Sequence, residues 1–248
     1  MKLMQTCCPG LLQGLSEHHF GFRPTYQAEE SIHSLRLMVE KSREYQLPLI
    51  AVKNDVRKAF DRLSHLSIIH ALQAAGMDDA LTGALIRELR SGHLLFQMAD
   101  GSECSPVLQT RGVKQGGASS PMLFVVVLGF VLRPLISSWE ARGFGFKAWD
   151  AFFPCLVFAD DIILVATSAS QAELMLAELN ATLKTAGLDL QLQKSCVCHN
   201  NFAALVDSIV VEGVPIPIAT ADEGLAILGV IVPFDNALLA SESACGSQ

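Results

Sequence analysis

Stretches in which apolar residues are spaced for one face of a helix alternate along this chain with short apolar runs and in-and-out alternations that suit strands. Leu66, Ile69 and Leu72 share a helical face, Ser64 stands where a cap would, and Gly76 follows the last turn. Residues 26–45 read as an earlier helix, because Glu29 and Glu30 fall in its first turn, Lys41 and Arg43 in its last, and Pro48 lies beyond. Another fits 79–90, closed by Gly92. Ser120-Pro121, a cap followed by proline at the first helical position, opens a helix to about Ala141 with Gly143 after it. Ser170 with Glu173 makes a capping box for a helix ending near Ala186, before Gly187. Leu49 to Val52 is a short apolar strand running into Asp55, and two more strands, 154–159 and 162–167, flank Asp160-Asp161. Leu188, Leu190 and Leu192 alternate with polar residues as in a half-buried strand. Asp100-Gly101, between Leu94–Ala99 and Glu103–Val113, and Glu212-Gly213, within Ile209–Ile218, are hairpin signals, and Ala226 to Val232 is a final strand. Helices mixed with antiparallel hairpins predict an α+β fold, an antiparallel sheet with helices packed on one face.

Composition narrows the class. With 248 residues, half of them apolar and 17% charged, the chain is globular, one domain or one and a half, rather than disordered. Its longest apolar run, Met122 to Leu132, is short for a bilayer span and ends at Arg133, so no membrane partner is expected. The seven cysteines form no framework: Cys7-Cys8 are adjacent, Cys104 and Cys155 isolated, and Cys196, Cys198 and His199 cluster without the paired spacing of a zinc site. Reduced thiols and an intracellular location, the nucleus included, are expected. The net charge of −7 has the wrong sign for a polyanion partner. Either a local basic groove exists or the basic parts belong to a longer protein; the second is preferred.

The chemistry is concentrated in acidic residues at strand ends. Asp160-Asp161 lies between Leu156-Val157-Phe158 and Ile162-Ile163-Leu164-Val165. Taken alone it reads equally as a solvated hairpin turn, but half-burying two adjacent like charges is costly unless a cation holds them. Hard divalent ions such as Mg²⁺ take carboxylate oxygens and complete their shell with substrate phosphate. Asp55, at the end of its own apolar strand, would supply a third carboxylate, and three carboxylates on neighbouring strand ends suit two-metal phosphoryl or nucleotidyl transfer. Asp61 reads instead as a helix-start or salt-bridge residue.

Asp55-x-x-Lys58-Ala59-Phe60-Asp61, Arg111-Gly112-Val113-Lys114-Gln115-Gly116-x-x-Ser119-Ser120-Pro121-x-Leu123-Phe124 and Phe158-Ala159-Asp160-Asp161 resemble, in order, three catalytic motifs of reverse transcriptases of the non-LTR (LINE-type) retrotransposon and group II intron kind. Gly21-Phe22-Arg23-Pro24 upstream, Gly187-Leu188 through Lys194-Ser195, and Leu228-Gly229 extend the resemblance over residues 20–232. It implies a polymerase palm with partial fingers at 21–232, a short N-terminal remnant before it and a tail from 233. It further implies that Asp55, Asp160, Asp161 and the Val56 carbonyl hold two Mg²⁺ ions, with Mn²⁺ as a substitute. Phe60 would sit under the sugar and exclude a 2′-hydroxyl, although its ring reads also as an ordinary core aromatic. Arg57, Lys58 and the backbone around Ala59 would meet the triphosphate, Gln115 and Gly116 the incoming nucleotide or template, and Lys194 the departing pyrophosphate. Arg23 reads as a template contact or an ordinary surface arginine. The implied partners are an RNA template, a DNA primer and a dNTP, with the remaining fingers, thumb and endonuclease in a longer protein. A palm that folds without catalysing is the competing reading. Asn54 departs from the family, which usually carries an apolar residue there, and so puts the packing of its strand in question.

Overall fold

The computed structural model describes residues 8, 10–23, 26–91, 93–94, 107–148, 151–204 and 208–234. Its centre is a four-stranded antiparallel sheet in the order β6-β7-β1-β8, built from β1 (Ile50–Asp55), β6 (Cys155–Phe158), β7 (Asp161–Ala166) and β8 (Cys196–His199). The apolar run before Asp55 becomes the inner strand β1, paired with β7 from Ile50↔Ala166 to Asp55↔Asp161 and with β8 from Ile50↔His199 to Lys53↔Cys196. Alternation then divides the side chains between two cores. Ile50, Val52, Ile162, Leu164 and Val197 face one core, Ala51, Leu156, Ile163, Val165 and Cys198 the other.

The first core is packed by α3 (His65–Ala74), α5 (Ser120–Ala141) and α6 (Ala169–Thr185), the helices expected on one face. The opposite face is covered as well. Ile32, Leu35, Met38 and Val39 of α1 (Ala28–Glu44) bury there together with Leu225, Ile227 and Val232 of a small hairpin. Between β1 and α3 lies the four-residue α2 (Ala59–Arg62), and α4 (Asp79–Arg90) follows α3, its start capped by Asp78, which accepts from the Ala80 and Leu81 amides. Leu11 and Leu15, upstream of residue 21, also belong to the first core.

Several boundaries differ from the pattern reading. The helix α5 is preceded by Ser119, so Ser120 is its first residue and not its cap, and Pro121 is its second. The capping serine of α6 is Ser168, which accepts from the Gln171 amide at 3.2 Å, not Ser170. The same serine-to-amide-side-chain spacing recurs two residues earlier, where Gln171 also accepts from the Thr167 amide at 2.8 Å as the chain leaves β7, and Glu173 instead accepts from Val210. Leu188, Leu190 and Leu192 are all buried but do not make a strand. Leu190 forms a single bridge with Val56 and Leu192 begins a 3-10 turn (Leu192–Lys194), so the alternation reported burial, while the ladder forms later, at β8. Residues 225–232 make two strands, β11 (Leu225–Ile227) and β12 (Val230–Val232), folded at Leu228-Gly229, where both residues take positive φ (49° and 82°) as a tight hairpin turn requires. The Glu212-Gly213 hairpin joins β9 (Ile209–Val211) to β10 (Val214–Ile216) as expected. Asp100-Gly101 lies outside the described residues, but the flanking β2 (His93–Leu94) and β3 (Val107–Leu108) pair antiparallel. A further pair, β4 (Phe146–Ala148) with β5 (Ala151–Phe153), precedes β6.

By length and composition α5 could cross a membrane, with a mean hydropathy of 1.9 over its apolar window. Here its apolar side chains are spent on the core: Met122 through Leu128, Leu132, Ile136 and Trp139 are buried. At its end, Trp139 donates its indole N–H to Glu178 of α6 (2.7 Å), and Arg142 donates to both oxygens of that carboxylate (2.9 and 2.6 Å). The Arg142 bonds hold the Glu178 carboxyl below the usual carboxylate range, with Trp139 adding to the effect against the cost of burial. A depressed carboxylate stabilises the fold fully above its unfolded value, near pH 4.3, and loses that contribution as pH falls through the depressed one. Glu178→Gln is therefore expected to lower Tm by roughly 2–4 °C at pH 7. The gap between variant and wild type should close as thermal unfolding is repeated below pH 4; a gap independent of pH would assign the loss to packing.

Candidate active site

The site forms where β1 and β7 end together. Asp55 and Asp161 are direct cross-strand partners, an arrangement that is unfavourable for like charges. Phe158↔Asp161 closes the β6–β7 hairpin over Ala159-Asp160, and Ala159 takes φ 55°, a left-handed conformation that glycine ordinarily supplies. Gly21 lies against this turn so closely that a Cβ on it would sit 2.4 Å from the Ala159 nitrogen. Beside Gly21, Arg23 donates to the Ser16 and His19 carbonyls and stacks on Tyr26 at 4.4 Å, which accounts for its guanidinium within the fold.

A cavity of about 470 Å³ opens at this edge, lined by Asp55, Val56, Arg57, Lys58, Ala59, Phe60, Gln115, Asp160, Gln191 and Lys194. Asp161 and Gly116 are not among the lining residues. Lys58 reaches the cavity from a left-handed φ of 46°, so the chain turns sharply out of β1 before α2. Phe60 stacks on the wholly buried Phe124 of α5, with ring centroids 5.2 Å apart. Gln115 donates to Asp61 at 3.2 Å, which makes Asp61 a support for the loop and not a lining group. That loop is tied to α2 and the start of α3 by backbone bonds from Gly112 to Leu63 and from Val113 to Phe60, both 2.7 Å, and by His65 against the Gly112 carbonyl at 2.9 Å. Gly112 has φ 83°, and a Cβ there would meet the Asp61 carbonyl oxygen at 2.5 Å; only glycine allows this approach.

Two lysines face the carboxylates. Lys194 Nζ lies 3.8 Å from Asp55 and Lys53 Nζ 3.7 Å from Asp161. Partial burial raises the Asp161 carboxyl above its usual range, Asp160 and Asp55 add to the rise, and Lys53 opposes it. Among the described residues, the structure gathers no group of three or more carboxylate, imidazole or thiolate side chains as a metal cluster. The donor chemistry nevertheless fits a hard cation: Asp55 and Asp160 both line one cavity with Asp161 adjacent, and a divalent ion would relieve their mutual repulsion. The Val56 carbonyl lies between two bonds that do not use it, Arg57 to Asp189 and Gln191 to Asp55.

Sequence reasoning missed Lys53 and Gln191. Lys53 was findable, being two residues from Asp55 on the same face of a strand. Gln191 carried no signal, since it reaches the cavity through the Leu190–Val56 bridge and the turn after it. Asn54, the departure from the family pattern, is buried without loss of partners: its amide donates to the Val52 and Ile162 carbonyls and accepts from Ser195.

Comparison with known proteins gives the same family as the motifs. The chain is 33% identical over 157 residues to the retrovirus-related Pol polyprotein from type-1 retrotransposable element R2 of Popillia japonica, covering 63% of this chain and 22% of that protein. To the Pol polyprotein from type-2 retrotransposable element R2DM of Drosophila melanogaster it is 30% identical over 174 residues, covering 70% of this chain and 16% of that protein. It thus spans less than a quarter of either relative. In fold it resembles apo telomerase from Candida tropicalis truncated from its C-terminal domain, with a TM-score of 0.59 at 12% identity over 87% of this chain and 43% of that one. The family profile of reverse transcriptase (RNA-dependent DNA polymerase) matches residues 1–232, and this chain belongs to that family.

Proposed function

We propose that this chain is the palm, with part of the fingers, of an RNA-directed DNA polymerase of a non-LTR retrotransposon, and that its cavity joins a dNTP to a primer 3′-hydroxyl. The observation that supports this reading is the single cavity lined together by Asp55, Asp160, Phe60, Gln115 and Lys194, residues that lie far apart in the sequence. In the reaction the primer 3′-hydroxyl gives up its proton to water, its oxygen forms a bond to the α-phosphorus, the bond from that phosphorus to the oxygen bridging to the β-phosphate breaks, and pyrophosphate leaves. Arg57 and Lys58 supply positive charge for the triphosphate, and Lys194, at the rim, donates a proton to the departing pyrophosphate. Gln115 contacts the incoming nucleotide or its template partner, and Phe60 bounds the space beneath the sugar. Asp55, Asp160, Asp161 and the Val56 carbonyl would hold two Mg²⁺ ions, or Mn²⁺ in their place, which when bound activate the attacking hydroxyl and neutralise the leaving group.

Because the chain spans only a small part of its relatives, the segments that grip the RNA–DNA duplex are proposed to lie in flanking regions of a longer intracellular protein. The test is primer extension by a polypeptide that carries these 248 residues within their native flanking sequence. On an RNA template with Mg²⁺, each single dNTP should be incorporated only opposite its complement. Incorporation that ignores the template, or none, would overturn the reading. The net charge of −7 favours the competing reading, a palm that folds without turning over, and the second of those outcomes would support it.

A further inference from the structure

Asn54 is an amide on a face of the sheet whose other members, Ile50, Val52, Ile162 and Leu164, are apolar and buried. It is fully buried itself, one residue from Asp55. Its Nδ2 donates to the Val52 carbonyl (3.0 Å) and the Ile162 carbonyl (3.2 Å), and its Oδ1 accepts from the Ser195 hydroxyl at 3.0 Å. Ser195 is 1% exposed and closes the 3-10 turn that carries Lys194. A buried amide and hydroxyl that satisfy one another fix the relative placement of the two segments that carry them, since any shift leaves both unpaired.

What they fix matters because Lys194 is not held by packing. Its side chain is 64% exposed, yet its ammonium stands 3.8 Å from Asp55, so its location depends on the backbone from which it projects. That backbone is pinned at both ends. On one side the Gln191 amide donates to the Asp55 carbonyl at 2.9 Å. On the other, Ser195 is bonded to Asn54 beneath Asp55.

We infer that Asn54 and Ser195 form a buried positioning pair that sets the reach of Lys194 to the Asp55 edge of the cavity. This inference rests on the role proposed above for Lys194. The pair acts through the lysine and does not itself meet substrate.

The test is a set of double-mutant cycles in the polypeptide that carries the native flanking sequence, read as kcat and KM for the dNTP in primer extension. Lys194→Ala should lower kcat first, which establishes the lysine's role on its own. Ser195→Ala should then lower kcat on the order of 10-fold with little change in KM, the scale of a modest misplacement. In the Lys194→Ala background, Ser195→Ala should add no further loss, because the group it positions is gone. Asn54→Val offers a second entry to the same cycle. Combined with Ser195→Ala it removes both sides of that one bond, so the double variant should regain melting temperature relative to Asn54→Val alone, which leaves the buried Ser195 hydroxyl unpaired, while kcat stays low. An equal fractional loss in both lysine backgrounds would overturn the inference in favour of a purely structural bond, and so would no loss in either. A wild-type polypeptide that does not extend, or a Lys194→Ala variant with unchanged kcat, would overturn the proposed role of the lysine and the pair's role with it.

Discussion

Mg²⁺ and a dNTP together are expected to raise the melting temperature of this chain, and Asp160→Asn should abolish that rise while leaving the unliganded protein as stable as before or more so. A ligand present at 100 times its Kd stabilises the native state by about 2.7 kcal/mol, and in a protein of this size that corresponds to a Tm rise of roughly 5–10 °C. Asp160 is one of two carboxylates inside the cavity, so its loss removes a principal donor to any cation there. The same charge adds to the repulsion that raises the Asp161 carboxyl, so removing it relieves the unliganded site. Function and stability should therefore move in opposite directions, which distinguishes a binding residue from a structural one. In the polypeptide with its flanking sequence, the extension rate should fall by about 10³-fold, the consequence of losing several kcal/mol of charge stabilisation. An equal Tm shift in wild type and variant would place the ligand elsewhere.

Phe60→Ala should raise the incorporation of ribonucleotides relative to deoxynucleotides by roughly 10²-fold, the discrimination that excluding a single hydroxyl by shape can supply. A ring can act as such a boundary only if it cannot swing aside. Phe60 is stacked on Phe124, which is wholly buried within α5, so one face of the ring is backed by core while the residue also lines the cavity. Phe60→Leu should fall between wild type and alanine, because it retains bulk without the flat stack. The alanine variant also gives up packing against the main core, at a cost of about 3 kcal/mol, so rates should be compared well below its lowered Tm. Unchanged sugar discrimination in a folded Phe60→Ala would make the ring a core residue that happens to touch the cavity.

Both predictions concern residues that were legible in the sequence, for a physical reason. Asp55, Asp160 and Asp161 stand at the ends of apolar runs, and a strand buried on both faces must present its polar residues at its ends, so the runs located the carboxylates before any sheet was known. The order of the strands was not legible that way. β8 joins β1 along Cys196–His199, four residues too short to show an alternation of their own, after leucines that are themselves buried in the core. Leu11 and Leu15 were equally opaque. They lie in a run of turns with no periodicity, and Leu15 is buried because Gly129 on α5 has no side chain: a Cβ there would come within 2.2 Å of Leu15 Cδ2. Such burial is decided by a residue more than a hundred positions away, which no local window contains. Lys53 pairs with Ile163 in register and meets Asp161 only on the diagonal, a contact that depends on which strands are neighbours.

The two outer strands of the central sheet bear on how the molecule behaves among its own copies. An unpaired strand edge is a template for addition of another chain's strand, the first step of ordered aggregation. Here the β6 edge is taken by irregular backbone from the N-terminal segment: Phe20 donates to the Val157 carbonyl at 2.8 Å and Val157 to the His18 carbonyl at 2.9 Å. On the far side, β8 is met by the chain around Ile218, with Val197 donating to Pro217 at 2.8 Å and Ala219 to Val197 at 2.7 Å. The segment before residue 21 and the loop after β10 thus act as edge guards. They are too short and irregular to be strands themselves, yet at Val157 and Val197 they occupy outward-facing hydrogen-bonding groups through which one palm would otherwise recruit the next.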